Sequence, residues 1–405
     1  MAASDDRRRW RFFAVALAVP TLGSSLGIDG GAIFQIVAVE SLRLDPRAVG
    51  IAFGLGVLSV PLQLLAARTP LWRARRNLQL FLAFAAVQCW VLALLVHLDL
   101  AGGFLALLAL PITVVAEISL SVLYAPAWQP LISHALTSAE RQTVNSRVRA
   151  AAGLAAAATV VAFGAAGDDL RTILLLVVGA VALRLAVAGR HLPGPERPVP
   201  QDAADVAGPA VRPSLPPGLR AIYLALGLGG TVMWPMFLVY VHEVLWPTAN
   251  LGLLGATQLG GALLAAATWR STSGDVNRRA LAASLVLAVA TAALAAVRPP
   301  STSAGEGVVV FASLFAAAAA VTTVFMALLE RAHREVDDET SVKALTILDV
   351  VASTSLQAGL LVAGFLISMS TSRTEWLIDP YRLYLLVGAL SLVLVLARAL
   401  AADRT

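Results

Sequence analysis

Apolar residues run through this chain in long blocks, each ended by a short polar segment. Twelve blocks recur: 12–39, 47–67, 78–97, 103–134, 148–167, 170–189, 219–241, 248–268, 280–297, 307–329, 344–370 and 381–400. A helix needs about 20 apolar residues to cross the hydrocarbon core of a bilayer. Most of the blocks reach or approach that length. None alternates polar with apolar over about 10 residues, as a barrel strand would. Alanine, leucine and valine dominate them, and inside lipid only helices or closed barrels satisfy their own backbone. The pattern predicts an all-α polytopic membrane protein with twelve transmembrane helices.

The polar interruptions carry a second pattern. The longest, 190–218, holds Pro193, Pro195, Pro198, Pro200, Pro209, Pro213, Pro216 and Pro217. Proline at this density cannot continue a helix and makes an extended linker. It falls after the sixth block. The chain is therefore expected to divide into a six-helix half over 1–189, a linker over 190–218 and a second six-helix half over 219–405. Loop chemistry repeats between the halves. Arg68, Arg73, Arg75 and Arg76 follow block two, and Arg270, Arg278 and Arg279 follow block eight. The segment from Glu140-Arg141 to Arg149 follows block four, and that from Glu330 to Lys343 follows block ten. A repeat of six helices implies two bundles related by an axis along the membrane normal.

Composition agrees, with 58% of residues hydrophobic and only 14% charged, and a mean hydropathy of +0.79. One soluble globule cannot cover so much apolar surface, which excludes a soluble enzyme. Disordered chains are poor in apolar residues. The single Cys89 excludes an internal disulfide framework and a cysteine-rich metal site. The formal net charge is +5, but the basic residues stand between apolar blocks, so they read as a topology signal and not as a nucleic-acid footprint. With the N-terminus in the cytoplasm, 24 of the 30 lysines and arginines fall on the inner side. Arg43, Arg47, Arg171, Arg298, Arg373 and Arg382 fall outside. That bias predicts cytoplasmic N- and C-termini. Arg7-Arg8-Arg9-Trp10-Arg11 ahead of the first block resembles a secretory signal. The apolar run continues to Val39, longer than the 7–15 residues of a signal core, so an uncleaved first helix is expected. Arginine and alanine in excess, with Lys343 the only lysine, point to a high-GC bacterial source and hence to the plasma (inner) membrane.

Twelve spans, a six-plus-six repeat, a long central linker and a basic loop after span 2 resemble the major facilitator superfamily. Ser25-Leu26-Gly27 with Asp29 is similar to the span-1 region of its branch of enterobactin exporter-like and macrolide efflux-like proteins. The stretch from Pro126-Ala127 through Thr137-Ser138-Ala139-Glu140-Arg141 to Asn145 is similar to the span 4–5 connection of that branch. Of the family loop G-x-x-x-D-R-x-G-R-R, Arg75-Arg76 remain, while Leu71 and Ala74 stand at its Asp and second Gly. The exporter motif G-P-x-x-G-G is absent from span 5. The resemblance implies alternating access between two rocking halves, with spans 1, 4, 7 and 10 around a central cavity and spans 2 and 11 meeting between halves.

Ionisable groups inside the bilayer mark candidate chemistry, since each costs roughly 2.5–3.5 kcal/mol on insertion scales. Asp29 lies in span 1 and Glu117 in span 4, at depths that differ by only about 5 Å at 1.5 Å per residue. If both face the cavity, their mutual repulsion raises one pKa and suits them to couple protons to transport. Alternatively, Asp29 caps a broken helix at Gly27-Ile28-Asp29-Gly30-Gly31 and Glu117 bonds within its own half. Asp349 in span 11 either pairs with an arginine of the loop after span 2, as an inner gate, or simply reaches the cytoplasm. Arg73, Arg75, Arg76 and Arg141 likewise serve either topology alone or gating. Trp234, Phe237 and Tyr240 share a broad face of span 7, beside Pro235, as a candidate apolar substrate wall or as packing. The alanine-rich run 150–158 is a small-residue face for the interface between halves. Glu40, Glu243 and Glu330 stand at span ends and are given no role. No phosphate-binding G-x-x-x-x-G-K-[ST] loop and no H-E-x-x-H site occur, so no cofactor, metal or enzymatic activity is expected.

The expected function is secondary active transport of a small amphipathic or apolar organic solute, by an exporter with proton coupling, acting as a monomer in the lipid bilayer. Two alternatives stand beside it: an uncoupled facilitator or uptake carrier, and a relative that does not transport and acts as a membrane sensor or assembly partner.

Overall fold

The computed structural model describes residues 31–66, 73–124, 149–190, 217–230, 233–269, 276–299, 304–335, 341–371 and 378–402. Regular structure among them is helical throughout. Eight helices are long and apolar enough to cross a membrane, and five shorter apolar helices accompany them. Two of the shorter ones are pieces of the same span, so the count is twelve.

We number the spans in chain order. In the first bundle α1 is described over Ala32–Ser41, α2 over 46–66, α3 over Ala74–His97, α4 over 104–124, α5 over Arg149–Ala165 and α6 over Asp168–Gly189. In the second, α7 covers 217–245 apart from 231–232, α8 Leu251–Thr268, α9 Val276–Ala296, α10 Ala304–Glu335, α11 Ser341–Thr371 and α12 Pro380–Ala402. The proline-rich linker lies almost wholly outside the described residues. α10 and α11 run longer than their apolar blocks. At 1.5 Å per residue they measure roughly 45–50 Å, well beyond a hydrocarbon core of about 30 Å. Both therefore project past the bilayer.

Helix starts follow local rules. Asp45 caps α2 by accepting a hydrogen bond from the Arg47 amide, and Pro46 occupies the first turn. Asn250 caps α8 by accepting from the Leu253 amide at 3.0 Å. Apolar side chains on the outer faces of α6, α9 and α12 stay exposed, among them Val177, Val289 and Leu394. In water such faces would drive aggregation, and in a bilayer they meet lipid.

The internal repeat is visible in structure and, once seen, in sequence. α1 and α7 each end in a π-helical turn, Val37–Ser41 and Val241–Leu245. Phe34 and Glu40 in the first correspond to Phe237 and Glu243 in the second, each pair 203 positions apart. Single π turns concentrate at functional sites.

The bundles meet through two helix pairs, α2 with α11 and α5 with α8. At both, glycine faces glycine. A Cβ added to Gly50 would stand 2.7 Å from the Cα of Gly364, and one added to Gly252 would stand 2.8 Å from the Cα of Gly164. Neither distance is tolerable for any residue with a side chain. The two contacts are copies of each other under the repeat, which exchanges α2 with α8 and α5 with α11. The antiparallel α2–α11 register continues inward, with Gly54 against Leu361 and Gly56 against Gln357. Along α5 and α8, Val160 reaches Gly255, and deeper in, Gly153 reaches Leu263. The small-residue run of α5 thus lies against the other bundle.

Candidate functional site

The two glycine–glycine contacts, Gly50–Gly364 and Gly164–Gly252, lie toward one end of the molecule, the arginine-poor end that carries Arg43, Arg47, Asp168 and Asp379, while the Gly153–Leu263 contact lies toward the other. The first helix of each bundle completes the closure. Ile33, Phe34, Ile36 and Val37 of α1 are fully buried, as are Met236, Phe237, Leu238 and Tyr240 of α7. Phe34 stacks edge-on against Phe53 of α2, with ring centroids 5.4 Å apart. Phe237 lies 6.4 Å from Tyr240, whose ring lies 4.7 Å from that of Tyr381 in α12. An aromatic and aliphatic layer therefore closes this end between the two glycine crossings.

Two arginine clusters hold the layer from the sides. Arg171, in the first turn of α6, bonds to the Glu40 carboxylate of α1, to the Ser41 hydroxyl at 3.0 Å, to Asp168 at 3.4 Å and to the Phe163 carbonyl of α5 at 3.0 Å. Asp168 also accepts the Ser41 hydroxyl at 2.7 Å. In the other bundle Arg382, in the first turn of α12, bonds to Asp379 and to the carbonyls of Leu294, Ala295 and Val297 at the end of α9. Asp379 accepts the Tyr240 hydroxyl of α7 at 2.7 Å and the Ser370 hydroxyl of α11 at 3.1 Å. Both clusters have the form Asp-x-x-Arg at the start of the last helix of a bundle, and both tie that helix to the first. Arg171 and Arg382 are only 6% and 2% exposed. Burying a guanidinium is tolerable only because carboxylates and carbonyls surround it. Two of the six arginines assigned to the outer side are thus internal cross-links and not loop charges.

The residues singled out from sequence distribute as follows. Asp29 and Arg141 lie outside the described residues. Glu117, Asp349 and Trp234 stand in α4, α11 and α7, with only their backbones described. Glu117 is about 20 Å along α4 from Phe104 at 1.5 Å per residue, one turn ahead of the π-helical segment Leu120–Tyr124. Phe237 is fully buried in the closing layer and is not on an open wall. Arg73 is exposed, immediately before α3. Arg75 donates to the Arg190 carbonyl at the end of α6, 3.4 Å away. Arg76 lines a groove against the same helix. In this conformation Arg75 and Arg76 therefore face their own bundle.

Glu40, Asp168, Arg171, Asp379 and Arg382 were not selected from sequence, because each sits at a span end where a charge can reach water. Their signal was the recurrence of Asp-x-x-Arg at 168–171 and 379–382, at the same place in each half. Among the described residues no cluster of His, Cys, Asp or Glu is arranged to hold a metal ion.

The chain has the fold of major facilitator transporters. It matches the inward-open xylose transporter XylE from E. coli with a TM-score of 0.67 at 14% identity, covering 96% of this chain and 95% of that one. The nucleoside transporter NupG matches with a TM-score of 0.63 at 13% identity, over 98% and 99% of the two chains. An inward-facing bacterial homologue of the iron transporter ferroportin matches with a TM-score of 0.62 at 12% identity, over 97% and 98%. No family model matches the chain, and no curated protein does either.

Proposed function

We propose that this protein is a secondary transporter that moves a small organic solute across a membrane by alternating access. One observation carries the reading: the two glycine crossings, α2–α11 and α5–α8, are symmetry copies that close one end of the bundle pair. Two rigid bundles that meet through bare backbone can separate there without unthreading side chains, which is what a gate requires. The likeness to transporters in inward-open and inward-facing states supports the same reading.

The arginine-rich end is placed in the cytoplasm by the positive-inside rule, in a bacterial plasma membrane. The closed end is then extracellular and the conformation inward-facing. The solute is amphipathic or apolar and is exported, with Trp234 of α7 on the wall of its cavity, under the layer that the buried Phe237 helps to close. Asp29 and Glu117 carry the coupled proton. Asp349 of α11 belongs to the inner gate, with Arg73 and Arg141 as cationic partners.

The test is flux in proteoliposomes of the whole chain under an imposed proton gradient, across a panel of metabolites and drugs. Native protein is expected to show gradient-driven export of at least one compound. Glu117→Gln and Asp29→Asn should abolish the gradient dependence while counterflow exchange persists. Gradient-driven flux that survives in both variants would remove the proton assignment. Flux indifferent to the gradient in native protein would make the chain a facilitator.

A further inference from the structure

A shallow groove opens on the lipid-facing side of the first bundle, where the start of α3 meets the end of α6. Its volume is about 380 Å³. Arg76 and Arg190 form its rim, both exposed, and Leu80, Ala83 and Val187 form its apolar floor. The groove is held open by two cross-helix hydrogen bonds. Gln79 donates to the Ala186 carbonyl at 3.0 Å, and Arg75 donates to the Arg190 carbonyl at 3.4 Å. These bonds cover carbonyls at the C-terminal end of α6 that would otherwise repel an anion.

Three further features give the groove a sign. Arg73, Arg75 and Arg76 crowd the start of α3, where the helix dipole is already positive and favours a negative partner. Among the described residues the second bundle arranges its arginines differently, with the exposed Arg398 one turn before the end of α12. Arg279, the counterpart of Arg76 203 positions on, lies over the Trp269 ring at 5.6 Å. The position 211 residues after Arg190, the spacing of Arg171 and Arg382, is Ala401. Finally, the groove sits at the level where apolar span gives way to polar end. Lipid headgroups lie at that level, and basic pockets between transmembrane helices there hold anionic ones.

We infer that this groove is a binding site for one anionic phospholipid, its phosphate between Arg76 and Arg190 and its acyl chain along Leu80, Ala83 and Val187. The inference does not depend on what the protein transports, and its readout is lipid retention and not flux.

Native mass spectrometry of the delipidated full chain in detergent tests it, with phosphatidylglycerol and phosphatidylcholine of identical acyl chains supplied together. The first retained lipid is expected to be phosphatidylglycerol, by about ten-fold or more, because its headgroup is net negative whereas the choline cation of phosphatidylcholine offsets its phosphate and is repelled by the two arginines. Arg76→Gln with Arg190→Gln should reduce that preference to under about three-fold, while Arg278→Gln with Arg279→Gln, which removes equal charge, keeps it. Ala83→Leu fills the groove with its charges intact and should weaken phosphatidylglycerol retention as well, so the test survives a misfolded arginine variant. Equal retention of both lipids by native protein would overturn the site, as would equal losses in the two double variants. Displacement of phosphatidylglycerol by inorganic phosphate would make it a small-anion site and overturn the lipid assignment.

Discussion

Arg382 shows how much a single residue carries in this fold. Its guanidinium stands almost wholly out of solvent between the Asp379 carboxylate and three carbonyls at the end of α9. Replacing Arg382 by leucine leaves Asp379 buried without its cation and the carbonyls without donors. Loss of one partner from a buried pair costs about 3–5 kcal/mol. Tyr240→Phe removes a single donor to the same carboxylate, a change of about 1–3 kcal/mol. Thermal unfolding in detergent should therefore rank the variants, with Arg382→Leu well below Tyr240→Phe and both below native. Arg382→Leu combined with Asp379→Asn should recover part of the loss, because contacting residues do not act additively. Equal midpoints for Arg382→Leu and native protein would mean the cluster is not part of the stable fold. From sequence alone these residues passed as ordinary span-end charges. In the other bundle, Arg171 and its partner Glu40 are 131 positions apart, and pairing over that distance leaves no local trace.

At the scale of the helix, close backbone approach replaces side-chain packing at the two bundle crossings. Lipid gives no hydrophobic drive for helices to associate, so small residues that admit near contact carry the interface. Gly252→Leu would place a branched side chain where the Cα of Gly164 now sits, and Gly364→Leu would do the same against Gly50. Each should hold the closed end open. Phe237→Cys, on a Cys89→Ala background, reports this, since Phe237 is fully buried in the closed form. A membrane-impermeant maleimide should label Phe237→Cys slowly with both glycines present and at least ten-fold faster with Gly252→Leu. Unchanged labelling would mean the crossing does not gate that layer. Among the described residues the apolar blocks were enough to locate the helices, because length and composition alone decide whether a segment can span. They could not show the broken geometry of α7, where π turns at Leu226–Gly230 and Val241–Leu245 interrupt the helix. Nor could they pair Gly50 with Gly364, since a glycine in an apolar run has no partner until the helices are packed. The alanine-rich stretch of α5 was more legible, for a continuous small face has one use in a bundle.

For the whole molecule, the two bundles meet along α2–α11 and α5–α8, in contacts that repeat the internal symmetry and, at the closed end, bring bare backbone against backbone. The arginine clusters stiffen each bundle internally and do not cross between them. That division of labour favours rigid-body rocking over deformation within a bundle. The Asp-x-x-Arg clusters keep the first and last helices of each bundle moving together, while the glycine crossings are free to part. For the proposed coupling groups, Asp29 and Glu117, such rocking means access from one side of the membrane at a time.

Separation of the bundles at the closed end tests this account most directly. Spin labels on Arg47→Cys at the start of α2 and Thr248→Cys just ahead of α8, both exposed and on different bundles, report it by pulsed electron resonance. The measurement uses the Cys89→Ala protein in lipid nanodiscs. Two distance populations are expected, a shorter one for the closed end and a longer one that Gly364→Leu or Gly252→Leu enriches. A single narrow distance, unmoved by either substitution, would contradict alternating access and leave a fixed membrane scaffold in its place.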